Sequence, residues 1–539
     1  FSAKQNISYD FNNTNNRVWW DPRSNDGRSS NGVMQRYVTN RSTLVSQTQL
    51  LYANTFAEAH TVDGLLAYEI EDYRFDNIYA NGNDYPAFPL PEIGNASNTR
   101  ASSQKEVSKL VSYVGRLNYD YRNKYYGSVS FRRDGTSRLS RDSRWGNFWS
   151  VSGSWRITQE SFMERFTDIL TDAKVRASYG VNGTQPKDYY GYMGLYQFGF
   201  NYNGNPGMAE EQIFNKNLKW EKNYAANIGL ELTFLNRFSA TVEWYNRDTK
   251  DLLMERPVSP TTGFSKMLMN VGEMRNRGFE IELKSTNINT KDFSWSTTLN
   301  MSRNKNTLVK LDGDQDQVID GQIINKVGHS YYSFYMYEYA GVDPATGKEM
   351  YFKNRDGDRS TTTNYAEADR VIVGTVEPKL VGGLTNNLSW KFIDLGFTFT
   401  YSIGGHALDN ASWLQSNGGT YNYRGNIPSY YKIEEMWQQP GDNAKLPQFV
   451  YGNANVRSSR WLMPTDHLRL KNLTVGFTAP SKWAEKLGLA RLRAYASGNN
   501  LFTIKSKDLY VDPETPTNGV VTFETPALRT MTFGIEVGF

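Results

Sequence analysis

The sequence predicts an all-β protein and, within that class, a transmembrane antiparallel β-barrel. Three observations carry the prediction. Apolar and polar residues alternate with period two through successive segments, the connections between segments are alternately short and long, and charges inside the segments keep to one parity.

The alternation places the strands. In Val111 to Tyr121, Val111, Tyr113, Gly115, Leu117, Tyr119 and Tyr121 share one face, while Ser112, Val114, Arg116, Asn118 and Asp120 take the other. Lys222 to Phe234 repeats this, with Tyr224, Ala226, Ile228, Leu230, Leu232 and Phe234 opposite Asn223, Asn227, Glu231 and Thr233. Period two is the mark of a strand whose two faces meet unlike surroundings. About sixteen such segments succeed one another, near residues 2–10, 41–54, 61–72, 108–121, 124–135, 147–158, 173–182, 220–235, 237–248, 275–286, 292–304, 378–389, 394–404, 466–478, 490–499 and 527–539. Most are longer than the five or six residues usual in soluble sheets.

The connections separate the two ends of the sheet. Short ones fall at Tyr121–Lys124, Leu235–Arg237, Asn287–Asp292 and Trp390–Ile393, and two brief ones could each hold a helical turn, at Glu164–Leu170 and Lys482–Leu487. The others are long and polar, with about 70 residues between Lys305 and Lys379 and about 60 between Ile403 and Thr465. One short end and one long end is the pattern of an outer-membrane barrel. Lipid cannot satisfy an unpaired backbone N–H or C=O, so a spanning sheet must bond strand to strand throughout.

Charge parity and aromatic placement agree with this. Arg116, Arg132, Arg156, Arg176, Glu231, Glu243, Glu280, Glu282, Arg491, Arg493, Arg529 and Glu536 sit opposite the apolar face of their strands, as expected where a lipid-facing Lys or Arg costs about 2–4 kcal/mol. Tyr119, Tyr121, Tyr125, Trp155, Phe234, Phe238, Phe293, Trp295 and Phe392 gather at the short-turn end. Rings with apolar bodies and polar tips suit the headgroup level.

Composition removes other classes. With no cysteine, disulfide frameworks, thiolate metal sites and cysteine nucleophiles are excluded. His60, His329, His406 and His467 stand too far apart for a histidine metal motif. Lys+Arg 60 against Asp+Glu 56 gives +4, too balanced to mark a nucleic-acid binder. Gly341-Val-Asp-Pro-Ala-Thr-Gly-Lys-Glu has the wrong glycine spacing for a phosphate loop and reads as a turn between strands, and no G-x-S-x-G occurs. No enzyme activity is expected. The opening Phe1-Ser-Ala-Lys-Gln reads as the middle of a strand, so the chain is expected to be a mature or truncated piece.

Several stretches carry a family resemblance. Phe131-Arg-Arg-Asp-Gly-Thr-Ser-Arg, Arg144-Trp-Gly-Asn-Phe-Trp-Ser-Val-Ser-Gly-Ser-Trp-Arg, Val175-Arg-Ala-Ser-Tyr-Gly-Val-Asn-Gly-Thr and Leu218-Lys-Trp-Glu-Lys follow one another. Val242-Glu-Trp-Tyr-Asn-Arg-Asp-Thr-Lys-Asp-Leu-Leu, Gly272-Glu-Met-Arg-Asn-Arg-Gly-Phe-Glu, Leu468-Arg-Leu-Lys-Asn-Leu-Thr-Val-Gly-Phe and Ala496-Ser-Gly-Asn-Asn-Leu-Phe-Thr come later. In this order they resemble the SusC family of TonB-dependent outer-membrane transporters. Arg529 to Phe539 alternates and ends on an aromatic residue, similar to the terminal signal read by the outer-membrane assembly machinery, with Phe539 as its last residue. The resemblance implies that about 16 strands of a 22-stranded barrel are present, with long extracellular loops. It places a plug and a leading N-terminal domain outside residues 1–539.

The same resemblance implies residence in the outer membrane as a multi-pass barrel surrounded by lipid. It implies TonB-dependent import of oligomeric nutrients with a SusD-like surface lipoprotein, as a dimer of such pairs, TonB acting through the N-terminal part. Oligosaccharides are the first expectation for the ligand and oligopeptides the alternative. A passive porin or surface adhesin is the rival from another class. Substrate candidates are aromatic residues of the long loops, whose rings can stack on sugar faces: Tyr331, Tyr332, Trp413, Tyr421, Tyr423, Tyr430 and Tyr431, with Asn417 beside them. No cofactor is expected. Asn354, Asp356 and Asp358 alternate as Ca2+ ligands do, although the glycine of such a loop is misplaced and Arg359 would repel the ion.

Overall fold

A computed structural model describes residues 1–86, 90–313, 316–416, 428–450, 456–507, 509–514 and 518–539. Sixteen strands form one antiparallel sheet in which every neighbour in the hydrogen-bonded order is also the next of the sixteen along the chain. They are β1 (Ser2–Trp20), β2 (Val33–Phe56), β3 (His60–Asn83), β4 (Asn98–Tyr121), β5 (Tyr125–Thr136), β6 (Trp145–Arg156), β7 (Leu170–Thr184) and β8 (Glu221–Phe234). The second eight are β9 (Phe238–Lys250), β10 (Glu273–Asn289), β11 (Phe293–Lys310), β12 (Leu380–Trp390), β13 (Ile393–Ile403), β14 (His467–Thr478), β15 (Arg491–Lys505) and β16 (Thr530–Gly538). Each of the sixteen predicted segments lies on one of them.

The first four strands are much longer than their alternation suggests, at 19, 24, 24 and 24 residues. A tilted strand crosses a bilayer in about 9–11 residues, so these extend well beyond the hydrocarbon. Asn12 to Asn16 are polar at every position, and Arg100 to Gln104 at all but Ala101. With water on both faces there is no period to read, although the ladder continues unbroken from Ser2↔Leu51 to Trp20↔Val33.

The hairpins have the backbone expected of tight turns. Arg122 and Asn123 both take the left-handed conformation, as do Leu235 and Asn236, matching the right-handed twist of the flanking strands. Two brief connections differ in detail. The turn expected at Glu164–Leu170 is a 3-10 turn at Ser161–Phe166 instead, with Leu170 already in strand, whereas Ser481–Lys486 is helical as expected.

The two parities meet different surroundings. Tyr113, Leu117, Tyr119, Tyr125, Val129 and Phe131 are 40–50% exposed on one face of β4 and β5. On the other face Arg132 donates from Nε to Asp134 Oδ1 at 2.7 Å, and from Nη2 to Ser112 Oγ at 2.8 Å and Glu69 Oε1 at 3.2 Å. Arg176 likewise pairs with Glu231 and Glu243, and Arg493 with Asp394 and Glu536. Each of these three arginines is thus matched by carboxylates on its own or other strands. At the other end of the sequence Met531, Phe533, Ile535, Val537 and Phe539 form an exposed apolar stripe.

By contact density the chain divides into two compact units. The first (Phe1–Trp155, Ala177–Ala226 and Thr249–Gly272) has a core of Leu139, Phe148, Val181, Leu218 and Trp220. Glycine lets Phe148 lie there: a Cβ on Gly183 would fall 2.0 Å from its ring. The second unit (Arg156–Arg176, Asn227–Asp248 and Glu273–Phe539) contains both of the longest loops.

The face assignment has a direct consequence. Leu117→Arg, on the exposed apolar parity, is expected to destabilise the folded protein by about 2–4 kcal/mol in a lipid-vesicle refolding titration. Asn118→Arg, one residue on and beside Asp63, should change it by less than about 1 kcal/mol.

Candidate functional site

The two longest connections are not bare loops. Within residues 311–379, Ser333–Tyr337 pairs with Arg370–Thr375 and with Ile323–Lys326, and Tyr339–Val342 pairs with Glu349–Phe352. Within 404–466, His406–Asp409 pairs antiparallel with Leu462–Pro464 and parallel with Val520–Val521. These pieces share a core of Phe334, Met336, Leu408 and Trp461, with Ile323, Val373, Val376, Trp413, Tyr431, Leu462 and Val520 packed on it. The alternation of Ser-Phe-Tyr-Met-Tyr turns Phe334 and Met336 inward and leaves Tyr335 and Tyr337 beneath the Arg370 guanidinium.

A buried ion pair crosses this core. Arg460 and Glu349 lie 111 residues apart in sequence, and their side chains are 8% and 6% exposed. Burial disfavours the Arg460 cation, but Glu349, Tyr431 and Tyr339 outweigh it and hold its pKa above the ordinary value. Glu349 Oε2 accepts a 2.6 Å hydrogen bond from Tyr351 Oη, Arg460 donates to Tyr431 Oη, and the guanidinium lies 4.5 Å from the centre of the Trp461 ring. Such a pair is tolerable because its remaining donors and acceptors are engaged.

Beside it is a cavity of about 380 Å³. Tyr339, Tyr430, Tyr431, Trp461 and Tyr510 supply aromatic wall, Leu446 and Met463 apolar wall, and Ser412, Ser459, Glu435, Lys445 and Arg460 polar groups. Tyr430 stacks on Tyr510 with ring centres 3.7 Å apart and planes within 7°. Its hydroxyl is 2.5 Å from Ser412 Oγ, which in turn donates to Asp409 Oδ2 at 2.7 Å, and Asp409 is fully buried. Burial pushes both the Tyr430 and the Tyr339 phenols up to about 12, so both remain protonated at neutral pH.

The candidate residues separate. Tyr430 and Tyr431 meet at the cavity, and Trp413 packs in the adjoining core with Arg457 stacked 3.9 Å from its ring centre. Tyr331 and Tyr332 contact each other edge to face at 4.7 Å but do not line the cavity. Asn417, Tyr421 and Tyr423 lie outside the described residues. Asn354 Oδ1 accepts from Arg359 at 2.8 Å, while Asp358 accepts from Ser360 N and Oγ at 2.8 and 2.9 Å, and Asp356 is exposed. A cation there would have to displace Arg359. Tyr339 ends the aromatic stretch Tyr331–Tyr339 that the sequence offers as substrate contact, whereas Glu349, Arg460, Trp461 and Tyr510 escaped the sequence reading because they come from three distant stretches with no spacing signal.

The sheet defines the class of protein: strands that present an apolar face outward and matched charges on the other, joined by tight hairpins at one end and folded loops at the other, make an outer-membrane β-barrel. Comparison with known proteins agrees. Residues 1–501 match the family described as TonB dependent receptor-like, beta-barrel, and the chain belongs to that family. It is 31% identical to TonB-dependent receptor P3 of Formosa agariphila, over 93% of this chain and 52% of that protein. It is 30% identical to TonB-dependent receptor SusC of Bacteroides thetaiotaomicron, over 80% of this chain and 44% of that one. The chain therefore spans about half the length of the curated relatives it matches. Among solved structures it resembles the RagAB peptide transporter, with a TM-score of 0.87 at 25% identity, covering all of this chain and 60% of that one. The protein is thus an outer-membrane, SusC-like member of the family.

Two outcomes follow from the loop core. Glu349→Gln leaves Arg460 charged and buried without an anion and should cost about 3–5 kcal/mol, read as loss of protease protection over residues 311–379; Glu349→Leu combined with Arg460→Met should restore most of it. His406 gives the pH dependence. Burial lowers its pKa below the ordinary 6.5, so between the folded and unfolded values the unfolded segment binds more protons. The pairing of His406–Asp409 is then at full stability above pH 6.5 and weakens as the pH falls through it. Amide exchange at Ala407 and Leu408, corrected for intrinsic rates, should accelerate on going from about pH 7.5 to about pH 5, and His406→Gln should remove the excess.

Proposed function

We propose that the whole protein imports an oligomeric nutrient across the outer membrane, driven by TonB, together with a SusD-like surface lipoprotein on the long-loop side, in a dimer of such pairs. The observation that carries this reading is an aromatic, charge-paired cavity within the folded loops of a receptor barrel. Rings offer flat apolar surface while hydroxyls and paired charges fix polar groups, which is how small-molecule sites are usually built. No catalytic constellation accompanies it among the described residues, and we read the protein as a transporter that does not alter its cargo.

Oligosaccharides are the first reading of the ligand. Oligopeptides are the second, favoured by the likeness to the RagAB peptide transporter. A shared fold does not fix the ligand, so the choice rests on binding. The full-length protein with its lipoprotein is expected to bind members of one class in a calorimetric screen of oligosaccharides and oligopeptides. Tyr430→Ala should weaken that binding by about 3- to 10-fold through loss of ring contact, and uptake in cells should stop when TonB is deleted. If neither class bound, the import reading would fail.

A further inference from the structure

Two polar groups in the cavity remain unused. Tyr339 Oη and Trp461 Nε1 are buried, both residues line the cavity, and neither atom finds a hydrogen-bond partner among the described residues. Trp461 is 2% exposed. Tyr339 is held in place from behind, its backbone N–H donating to Ser459 Oγ at 2.9 Å and its strand pairing with Glu349–Phe352. A buried donor without a partner costs about 1–3 kcal/mol, and each such group in a native structure calls for an explanation. Two among the residues of one cavity call for a ligand carrying acceptors.

The other wall groups specify its charge. Arg460 is committed to Glu349 and Tyr431, and Lys445 lies 3.8 Å from Glu435, so two cations face two carboxylates. An anionic unit would have to break one of these pairs, with the loss that follows from leaving a buried charge uncompensated. The ring pair of Tyr430 and Tyr510 adds a rigid flat surface. A volume of about 380 Å³ lies at the lower end of small-molecule sites, room for a unit of a chain and not for its length.

We propose that this cavity receives one uncharged sugar ring of the transported oligomer, with Tyr339 Oη and Trp461 Nε1 donating to its oxygens and the tyrosine rings against its apolar face. This rests on the import reading and narrows it to neutral glycans.

The test uses the full-length protein in complex with its lipoprotein. Three panels are titrated calorimetrically: neutral gluco-, manno- and xylo-oligosaccharides, uronate oligosaccharides of equal length, and tripeptides. Tyr339→Phe removes only a hydroxyl, and Trp461→Phe removes the indole N–H while keeping a ring. A neutral oligosaccharide should bind, its uronate counterpart should bind at least about 10-fold more weakly, and each variant should lose about 5-fold in affinity with protease resistance of the loop module unchanged. Binding that both variants leave intact would overturn the site while sparing the import reading. Equal binding of uronates, or binding of tripeptides that the variants weaken, would overturn the neutral-sugar assignment. If nothing in the three panels bound, this proposal and the import reading would fall together.

Discussion

Backbone hydrogen bonds have no alternative partner in the hydrocarbon of a bilayer, and the rest of this structure depends on that constraint. A strand crossing lipid must bond to strands on its flanks, because each unsatisfied N–H or C=O costs several kcal/mol. The long unbroken ladders, such as that from Val33↔Asn83 to Phe56↔His60, meet the requirement. Because the backbone is satisfied by neighbours along the sheet, the side chains are left to settle the faces, and alternation follows.

The same economy governs the charges. A charge on the apolar face would be stranded, so charges take the other parity and pair there, as Arg132 does with Asp134 on its own strand and with Glu69 on β3. The loop module repeats this logic away from the membrane. Arg460 and Glu349 are nearly as secluded as a charge in lipid, and they persist because tyrosine hydroxyls and a tryptophan ring complete their surroundings. An interior of this kind gives the loops a fixed shape, and only a fixed shape can hold a cavity with defined walls.

Much of the sheet was legible in the sequence because its physical cause acts locally. Where one face meets lipid and the other does not, as in Val111 to Tyr121, residue after residue reports the face. Where β1 to β4 leave the bilayer, both faces meet water and the signal stops, so their polar halves were missed although the ladders continue. In the loops the failure is of another kind. Tyr331 to Tyr339 reads as an aromatic-rich loop, yet Phe334 and Met336 are fully buried in a small sheet whose partners lie elsewhere in the chain. Short strands in irregular stretches have too few residues to show a period.

By itself the sequence determined the fold class, the number and place of the main strands, the faces that the charges take and the end that carries the tight turns. These follow from parity and spacing, which any stretch of chain displays without reference to the rest. Only the tertiary structure decided which loop aromatics share a cavity: Tyr430 and Tyr431 do, and Tyr331 and Tyr332 do not. It alone brought Arg460 to Glu349 and placed Tyr339 and Trp461 in the lining of one cavity. Contacts between residues more than a hundred positions apart depend on how several loops fold together, and no local pattern records that.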